Sequence, residues 1–195
     1  FEKITPLFFT TSQQGQEAEI NGNKHLLKDA YDIKELAEMD IIVTCQGSEY
    51  SQKILPELRT NNWQGFWIDA ASHYRMDDNC IIDLDPINLS NIQQAINDGV
   101  KNFIGGNCTV SLMMLAIHGL LKAQLIESIS VMSYQAVSGS GARAMSELLE
   151  QSKVISESLN TKDALELEKN VRSQTKNDNF SCTQFMAPMA FNLIP

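Results

Sequence analysis

Short apolar runs alternate with amphipathic segments over the first two-thirds of the chain, a pattern typical of βαβ units around a parallel sheet. The apolar runs predict buried strands at residues 7–10, 41–45, 65–69, 80–84 and 102–104. The segments between and after them predict helices at residues 33–37, 50–60, 89–98 and about 109–122. The chain is therefore expected to have an α/β fold.

A second section begins near residue 129. Residues 129–135 predict a further strand, and residues 144–160 predict a helix with one apolar face. Between them lies the glycine-containing stretch 138–143, and residues 176–184 are polar and predict a surface loop. No linker composition separates this section from the first, so we expect any domain boundary to be tightly packed.

Polar or small residues directly follow two of the predicted strands. Strand 41–45 runs into Gln46 and Gly47, and strand 65–69 runs into the small residues 70–72. Ligands of open α/β sheets bind at the carboxyl ends of strands. We therefore expect these residues to face a ligand crevice.

Composition excludes several classes of protein. The net charge of −9, from 15 basic and 24 acidic residues, argues against nucleic-acid binding, which needs clustered Lys and Arg. No apolar run approaches the ~18 residues that span a bilayer, so no membrane segment is expected. The four cysteines and three histidines match no zinc spacing, so no metal site is expected. Sparse cysteine and the lack of a visible signal peptide favour a reducing cytoplasm.

The segment GGNCT, residues 105–109, is the strongest chemical signal. It follows a predicted strand and opens a predicted helix, which places the Cys108 sulfur at a helix N-terminus. The unpaired N–H groups and the positive end of the helix dipole favour the nucleophilic thiolate, and the same N–H groups are candidates to stabilise an oxyanion. The alternative is that Cys108 is one more buried small residue and that Asn107 is a helix cap.

Other candidates each have a functional and a structural interpretation. Residues 138–141 could form a nest for a phosphate or dinucleotide, or could be a flexible loop. Arg75 could meet an anion near the end of strand 65–69, or could be a solvated surface residue. His118 is interpreted as a core residue rather than a base. The same structural interpretation is given to Cys45, Cys80 and Cys182.

The segment FIGGNCT, residues 103–109, resembles the active-site segment of aspartate-semialdehyde dehydrogenases, particularly the form found in Gram-negative bacteria. The resemblance extends over essentially the whole chain, in the same order, and includes residues 8–13, 40–47, 63–72, 134–136 and 138–143. It implies a Rossmann-type parallel-sheet cofactor domain over residues 1–106. The start of an α+β catalytic and dimerisation domain would follow over residues 107–195.

The resemblance also implies an activity: reduction of L-aspartyl 4-phosphate by NADPH to L-aspartate 4-semialdehyde with release of phosphate, on the route to lysine, threonine and methionine. Cys108 would form a thioester with the substrate, and Gln135 would hold the substrate beside it. Asn107 and Arg75 would contact the substrate, Arg75 at its phosphate. The residues expected to contact NADP are Thr11, Ser12, Gln46, Ser138 and Gly139. A homodimer is a further expectation from the family.

The sequence departs from the family pattern in three respects. The family's glycine-rich NADP-binding turn precedes the position of Phe1, and its catalytic histidine and further basic contacts lie beyond Pro195. Residues 152–185 match poorly. We therefore expect a fragment that is inactive and prone to aggregation by itself. A related enzyme of the N-acetylglutamyl-phosphate reductase type and a non-catalytic relative of the fold remain as alternatives.

Overall fold

The protein is described by a computed structural model that covers residues 4–177 and 179–194. The chain divides into two compact units, Phe1–Ile129 and Ser130–Pro195. The predicted boundary between residues 106 and 107 falls inside the first compact unit. As a division between functional domains, that boundary stays a prediction.

Strands and helices alternate in the first unit. The strands are β1 (Phe9–Thr10), β2 (Glu17–Ile20), β3 (Asn23–Leu26), β4 (Lys28–Asp29), β5 (Ile41–Thr44), β6 (Phe66–Asp69), β7 (Cys80–Asp83) and β8 (Asn102–Gly105). The helices are α1 (Ile33–Leu36), α2 (Ser48–Thr60), α3 (Leu89–Asn97) and α4 (Cys108–Lys122). Each strand and helix predicted up to residue 122 is confirmed, with ends that shift by no more than two residues.

Four strands form one wholly parallel sheet, in the order β5-β6-β8-β7. The register places Ile42 beside Trp67 and Ile68 beside Phe103. Because the strands are parallel, their carboxyl ends meet at one edge, and the segments that leave β5, β6 and β8 share that edge. The predicted α/β fold with a Rossmann-type parallel sheet is confirmed.

The sheet and α2 share the core of the first unit. Trp67 of β6, Ile104 of β8 and Leu58 of α2 are completely buried, and each such side chain contributes about 1.5–3 kcal/mol relative to exposure. Tyr50 of α2 stacks on Trp67, with ring centroids 6.4 Å apart. Burial raises the pKa of Tyr50 to about 12. This packing fixes α2 against the sheet and so fixes the loop that joins β5 to α2.

The hairpin formed by β2 and β3 was not predicted. Its turn is Asn21-Gly22, and both residues have positive φ, 51° and 76°. Asn-Gly is favoured in the two-residue type I′ turn, so a local signal was present. The flanking strands are half-exposed and polar, which removed the apolar run on which the strand predictions relied.

The strand predicted at residues 129–135 is wrong, because this segment is irregular. Its apolar residues alternate as they do in a strand, but the side chains of Val131, Met132 and Tyr134 are exposed. No strand in the described parts of the chain pairs with it. An extended segment becomes a strand only when a neighbour satisfies its backbone N–H and C=O groups, and alternation alone does not supply that neighbour.

The second unit, over its described residues, consists of a 3₁₀ helix (Val137–Ser140) and the helices α5 (Ala142–Glu157) and α6 (Ala164–Thr175). The helix predicted at residues 144–160 corresponds to α5. Helix α6 was not predicted; it has no fully buried residue and packs on the core of the second unit through the half-buried Val171. None of the helices described in either unit is long and apolar enough to cross a bilayer.

Two buried side chains of α5 hold the loop that follows α6. Glu147 Oε2 accepts hydrogen bonds from the backbone N–H groups of Thr183 at 2.8 Å and Gln184 at 3.0 Å. Gln151 Oε1 accepts from the N–H groups of Met189 at 2.8 Å and Ala190 at 3.0 Å. Residues 176–184 are irregular, as predicted, apart from residue 178, which lies outside the described residues.

Candidate active site

Cys108 lies where β8 gives way to α4. β8 ends at Gly105, and α4 begins at Cys108 itself, with Asn107 as its N-cap. The Cys108 side chain is exposed, and its Sγ lies 3.9 Å from Thr109 Oγ1. The thiol is therefore accessible at a helix N-terminus, and the alternative that Cys108 is a buried small residue is wrong.

Asn107 caps α4. Its Oδ1 accepts hydrogen bonds from the N–H groups of Thr109 and Val110, both at 3.1 Å. Both N–H groups were among those predicted to stabilise an oxyanion. Because they are bonded to the cap, they are not free for that role. Of the N–H groups in the first turn of α4, the Cys108 N–H has no acceptor in the described parts of the chain.

Gly106 allows the loop between β8 and α4 to lie close against the first turn of α4. A Cβ atom at this position would come within 2.6 Å of Ser111 Oγ. The Ser111 N–H in turn bonds to the Asn107 carbonyl at 2.8 Å. The loop that carries Cys108 is therefore short, tightly packed and held to its own helix.

Arg75 turns its guanidinium group toward the main chain at the same sheet edge. Nε donates to the carbonyl of Gly105 at 2.8 Å, and Nη2 donates to the carbonyls of Gly106 at 3.2 Å and Ala70 at 3.3 Å. The structural alternative of a merely solvated arginine is therefore wrong. The sequence did not predict these main-chain contacts.

Asp69, at the end of β6, is a buried carboxylate that sequence analysis did not single out. Its Oδ1 accepts from the N–H of Ala71 at 2.8 Å, and its Oδ2 accepts from Trp67 Nε1 at 3.3 Å. The sequence signal that could have identified Asp69 is an acidic residue at the end of a buried strand. Asp69 fixes the turn that leads from β6 to Arg75.

Two of the expected cofactor contacts meet at the carboxyl end of β5. Thr11 Oγ1 donates to Gln46 Oε1 at 3.1 Å, although the two residues are 35 positions apart. Ser12 is exposed beside them, and its N–H bonds to Thr10 Oγ1 at 3.3 Å. Gly47, with φ of 95°, is the N-cap of α2 and provides no side-chain cap.

The crevice beyond β5 includes two hydroxyls outside the predicted NADP contacts, one of which, Ser72, belongs to the residues 70–72 expected to face a ligand. Ser48, at the start of α2, and Ser72, after β6, have their Oγ atoms 3.3 Å apart. A cluster of small polar side chains thus links the carboxyl ends of neighbouring strands. The sequence shows both residues directly after strand ends, but it does not show that they meet.

Three predicted site residues lie in the second unit. Gln135 is exposed in the irregular segment before the 3₁₀ helix, while Ser138 and Gly139 lie within that helix. Gly141, with φ of 89°, ends the 3₁₀ helix and starts α5 without a side-chain cap. The stretch is therefore a 3₁₀ turn that leads to a helix N-terminus without a side-chain cap.

The other titratable candidates differ from Cys108 in their surroundings. Burial, aided by the charge of Asp77, raises the pKa of the Cys80 thiol to about 11. Burial likewise raises the pKa of Cys182, with Glu147 as a second cause. His118 lies half-buried on α4. Within residues 4–177 and 179–194, no group of three or more His, Cys, Asp or Glu residues is placed to hold a metal ion.

Comparison with known proteins agrees with this arrangement. The semialdehyde dehydrogenase NAD-binding domain matches residues 2–95, and the semialdehyde dehydrogenase dimerisation domain matches residues 117–195. The chain belongs to the semialdehyde dehydrogenase family. The resemblance inferred from the GGNCT segment and its neighbours is confirmed, and the family's enzymes are oxidoreductases.

Solved structures of semialdehyde dehydrogenases extend the match. The aspartate semialdehyde dehydrogenase from Francisella tularensis is 46% identical with a TM-score of 0.85, covering 97% of this chain and 53% of that one. The aspartate semialdehyde dehydrogenase II from Vibrio cholerae, complexed with ASA, is 21% identical with a TM-score of 0.70. This match covers 95% of this chain and 48% of that one. The second likeness shows the fold alone. The chain spans about half the length of the solved structures that it matches.

Groups suited to a dinucleotide lie at the carboxyl end of β5 in this family member. The N-terminus of α2 is uncapped, and a Cβ atom at Gly47 would meet nothing within 4 Å. Free N–H groups at a helix N-terminus beside a glycine are suited to a phosphate group. Thr11 and Gln46 lie at the same strand end. The family's NAD-binding domain thus has polar groups and open space at the carboxyl end of β5.

Proposed function

We propose that the protein containing this chain is an aspartate-semialdehyde dehydrogenase that reduces L-aspartyl 4-phosphate to L-aspartate 4-semialdehyde and releases phosphate. The observation that carries the proposal is the exposed Cys108 thiol at the start of α4, on a loop held by Asn107 and Arg75. The reaction would serve the biosynthesis of lysine, threonine and methionine.

Cys108 is the nucleophile in this proposal. Its thiolate attacks the acyl carbon of the substrate, the bond to the phosphate oxygen breaks, and phosphate leaves as a thioester forms on the sulfur. The Cys108 N–H is the donor placed to stabilise the developing oxyanion. The thiolate is regenerated when the thioester has been reduced and the aldehyde departs.

The remaining site residues bind and orient the substrate. Gln135 holds the substrate beside the sulfur, and Arg75 binds its phosphate through the part of the guanidinium that the main chain leaves free. Asn107 contributes at the substrate as well as at the helix cap. Such positioning lowers the barrier because it places the acyl carbon in reach of the thiolate before reaction.

The proposed cofactor is NADP, which supplies the hydride when bound in its reduced form. Thr11, Ser12 and Gln46 would hold it at the carboxyl end of β5, and Ser138 and Gly139 are the further proposed contacts. The open space at Gly47 and the uncapped start of α2 support this assignment. The functional form would be a homodimer, since the second family domain is a dimerisation domain. The proposed location is the cytoplasm, because cysteine is sparse.

The test is phosphate-dependent NADPH formation from L-aspartate 4-semialdehyde by the full-length protein. We expect the Cys108→Ala variant to lose activity by at least about a thousandfold. The matched control is Cys45→Ala, which removes another exposed thiol at a strand end and leaves the rate within about threefold.

Two outcomes would redirect the proposal. If the wild-type protein is inactive with this substrate but active with N-acetylglutamate semialdehyde, the enzyme belongs to the related reductase type. If it is inactive with both, and binds substrate without turnover, it is a non-catalytic relative of the fold.

A further inference from the structure

The Arg75 side chain bridges two neighbouring strands beyond the end of their ladder. The last residue pair between β6 and β8 is Asp69 with Ile104. Gly105 and Gly106 lie past that pair, on the way to Cys108. Their carbonyls accept from Arg75 at 2.8 and 3.2 Å, and the same guanidinium reaches the Ala70 carbonyl at 3.3 Å. Arg75 thus continues the connection between the two strands where backbone pairing stops.

From these contacts we infer that Arg75 is a positioning residue for the nucleophile, in addition to any contact with substrate. The loop between β8 and α4 is held at both ends. Arg75 fixes the carbonyls on the strand side, and the Asn107 side chain fixes the N–H groups on the helix side. The geometry of Cys108 relative to the sheet edge therefore depends on a residue 30 positions before Gly105.

The donors of Arg75 are divided between two tasks. A guanidinium has five N–H groups in a fixed planar fork. The single N–H of Nε and both N–H groups of Nη2 are used by the three carbonyls, which leaves Nη1 without a partner among the described residues. A substrate phosphate can therefore be met by Nη1, while the opposite edge of the group keeps the loop in place.

A lysine cannot reproduce this division. All three N–H groups of its ammonium are on the single Nζ atom. A lysine therefore cannot reach carbonyls on two strands and still face a phosphate. Charge alone would preserve phosphate binding, whereas the hydrogen bonds to the three carbonyls need the planar guanidinium. The Arg75→Lys variant therefore separates the two roles.

The test compares the full-length wild-type protein with Arg75→Lys and Arg75→Gln, and it measures backbone hydrogen exchange without substrates. We expect both variants to speed exchange in the peptide carrying residues 106–110 by at least about tenfold, since the loop loses its fixed carbonyls. Exchange in the peptide carrying α2 stays unchanged. The matched control is Arg172→Lys, at an exposed arginine of α6.

The kinetic measurement rests on the proposed function. At saturating phosphate, we expect the kcat of Arg75→Lys to fall at least about tenfold, to a value close to the kcat of Arg75→Gln. Lysine keeps the charge but loses the hydrogen bonds to the loop carbonyls. A Lys variant with wild-type exchange and kcat, and only a raised KM for phosphate, overturns the positioning role. Faster exchange that extends equally to α2 also overturns it, because Arg75 would then support the whole unit. An inactive wild-type protein rejects the proposed function, while the exchange result still decides the role of Arg75.

Discussion

At the scale of single residues, the surroundings of the four cysteines differ more than the sequence suggests. Cys108 and Cys45 are exposed, whereas Cys80 and Cys182 are half-buried. Cys80 packs against the main core of the first unit, which raises the pKa of its thiol to about 11. The sequence predicted Cys108 as the reactive residue because helix starts are local features. The sequence predicted a buried strand up to Cys45, but β5 ends at Thr44 with Ile41 and Val43 exposed, and Cys45 after it is exposed too.

Alkylation by iodoacetamide near neutral pH is expected to separate these thiols. A pKa of about 11 in place of 9.0 leaves roughly a hundredth as much thiolate at Cys80, and the thiolate is the reactive form. Quantitative peptide mass spectrometry should show Cys108 and Cys45 modified first, with Cys80 at least about 100-fold slower. Equal rates for all four in urea serve as the control. Rapid modification of Cys80 in the folded protein would contradict the described packing.

Glu147 gives a pH-dependent contribution to stability. Burial raises the pKa of its carboxyl, but hydrogen bonds from Thr183, Gln184 and Ser181 outweigh burial and lower the pKa below the ordinary value of 4.5. A carboxyl whose pKa is depressed by folding stabilises the fold above its unfolded pKa, and that stabilisation is lost as pH falls through the folded value.

Urea unfolding of the wild-type protein and Glu147→Gln should reveal this contribution. At pH 6 we expect the variant to be less stable by about 1–2 kcal/mol, because it keeps an acceptor but loses the charge. The difference should shrink as pH falls from about 4.5 toward 3, since protonation removes the wild-type charge. A difference that stays constant over this range would mean that the charge contributes nothing.

At the scale of elements, local patterns predicted what local physics determines. The strands of the parallel sheet and the helices between them came from apolar periodicity, and their ends agree with the structure to within two residues. The failures have specific causes. The segment 129–135 alternates like a strand but has no pairing partner, and the β2–β3 hairpin has polar strands whose Asn21-Gly22 turn was the one strong signal. α6 has no fully buried residue and contributes only the half-buried Val171 to the core of the second unit.

The join between α2 and β6 offers a test of packing at this scale. A Cβ atom at Gly65 would come within 2.4 Å of the Trp63 ring. That ring cannot easily move, because its Nε1 donates to the Met39 carbonyl at 2.6 Å and the Arg59 guanidinium lies 4.5 Å from its centroid. We expect Gly65→Ala to lower the free energy of unfolding by about 1–3 kcal/mol.

The control for this prediction is Gly119→Ala. A Cβ atom at Gly119 would meet nothing within 4 Å, and the residue lies inside α4. Because alanine is the better helix former, we expect this variant to gain about 0.5–1 kcal/mol in urea unfolding. If both variants are destabilised equally, the contact between a Cβ at position 65 and the indole of Trp63 is not the cause of the lost stability.

At the scale of the whole molecule, the sequence identified the family and predicted a loop that carries a nucleophile, but it did not predict which distant residues contact that loop. The GGNCT segment is a local signal, so Cys108 and Asn107 could be placed from it. The contacts of Arg75 with Gly105 and of Thr11 with Gln46 join residues 30 and 35 positions apart. The first depends on β6 lying beside β8, and the second depends on where the separate β1–β4 pair lies, neither of which a local pattern gives. The chain spans about half the length of its solved relatives, so the proposed activity belongs to the whole protein.

In the proposed mechanism, Cys108 carries the acyl group during the reaction. The most direct test is to incubate the full-length protein with L-aspartate 4-semialdehyde and NADP in the absence of phosphate, quench it in acid and map adducts by peptide mass spectrometry. We expect an aspartyl adduct on the peptide that carries Cys108, and its loss when phosphate is added. NADPH formation with an unmodified Cys108, or an adduct confined to another residue, would rule out Cys108 as the acyl carrier.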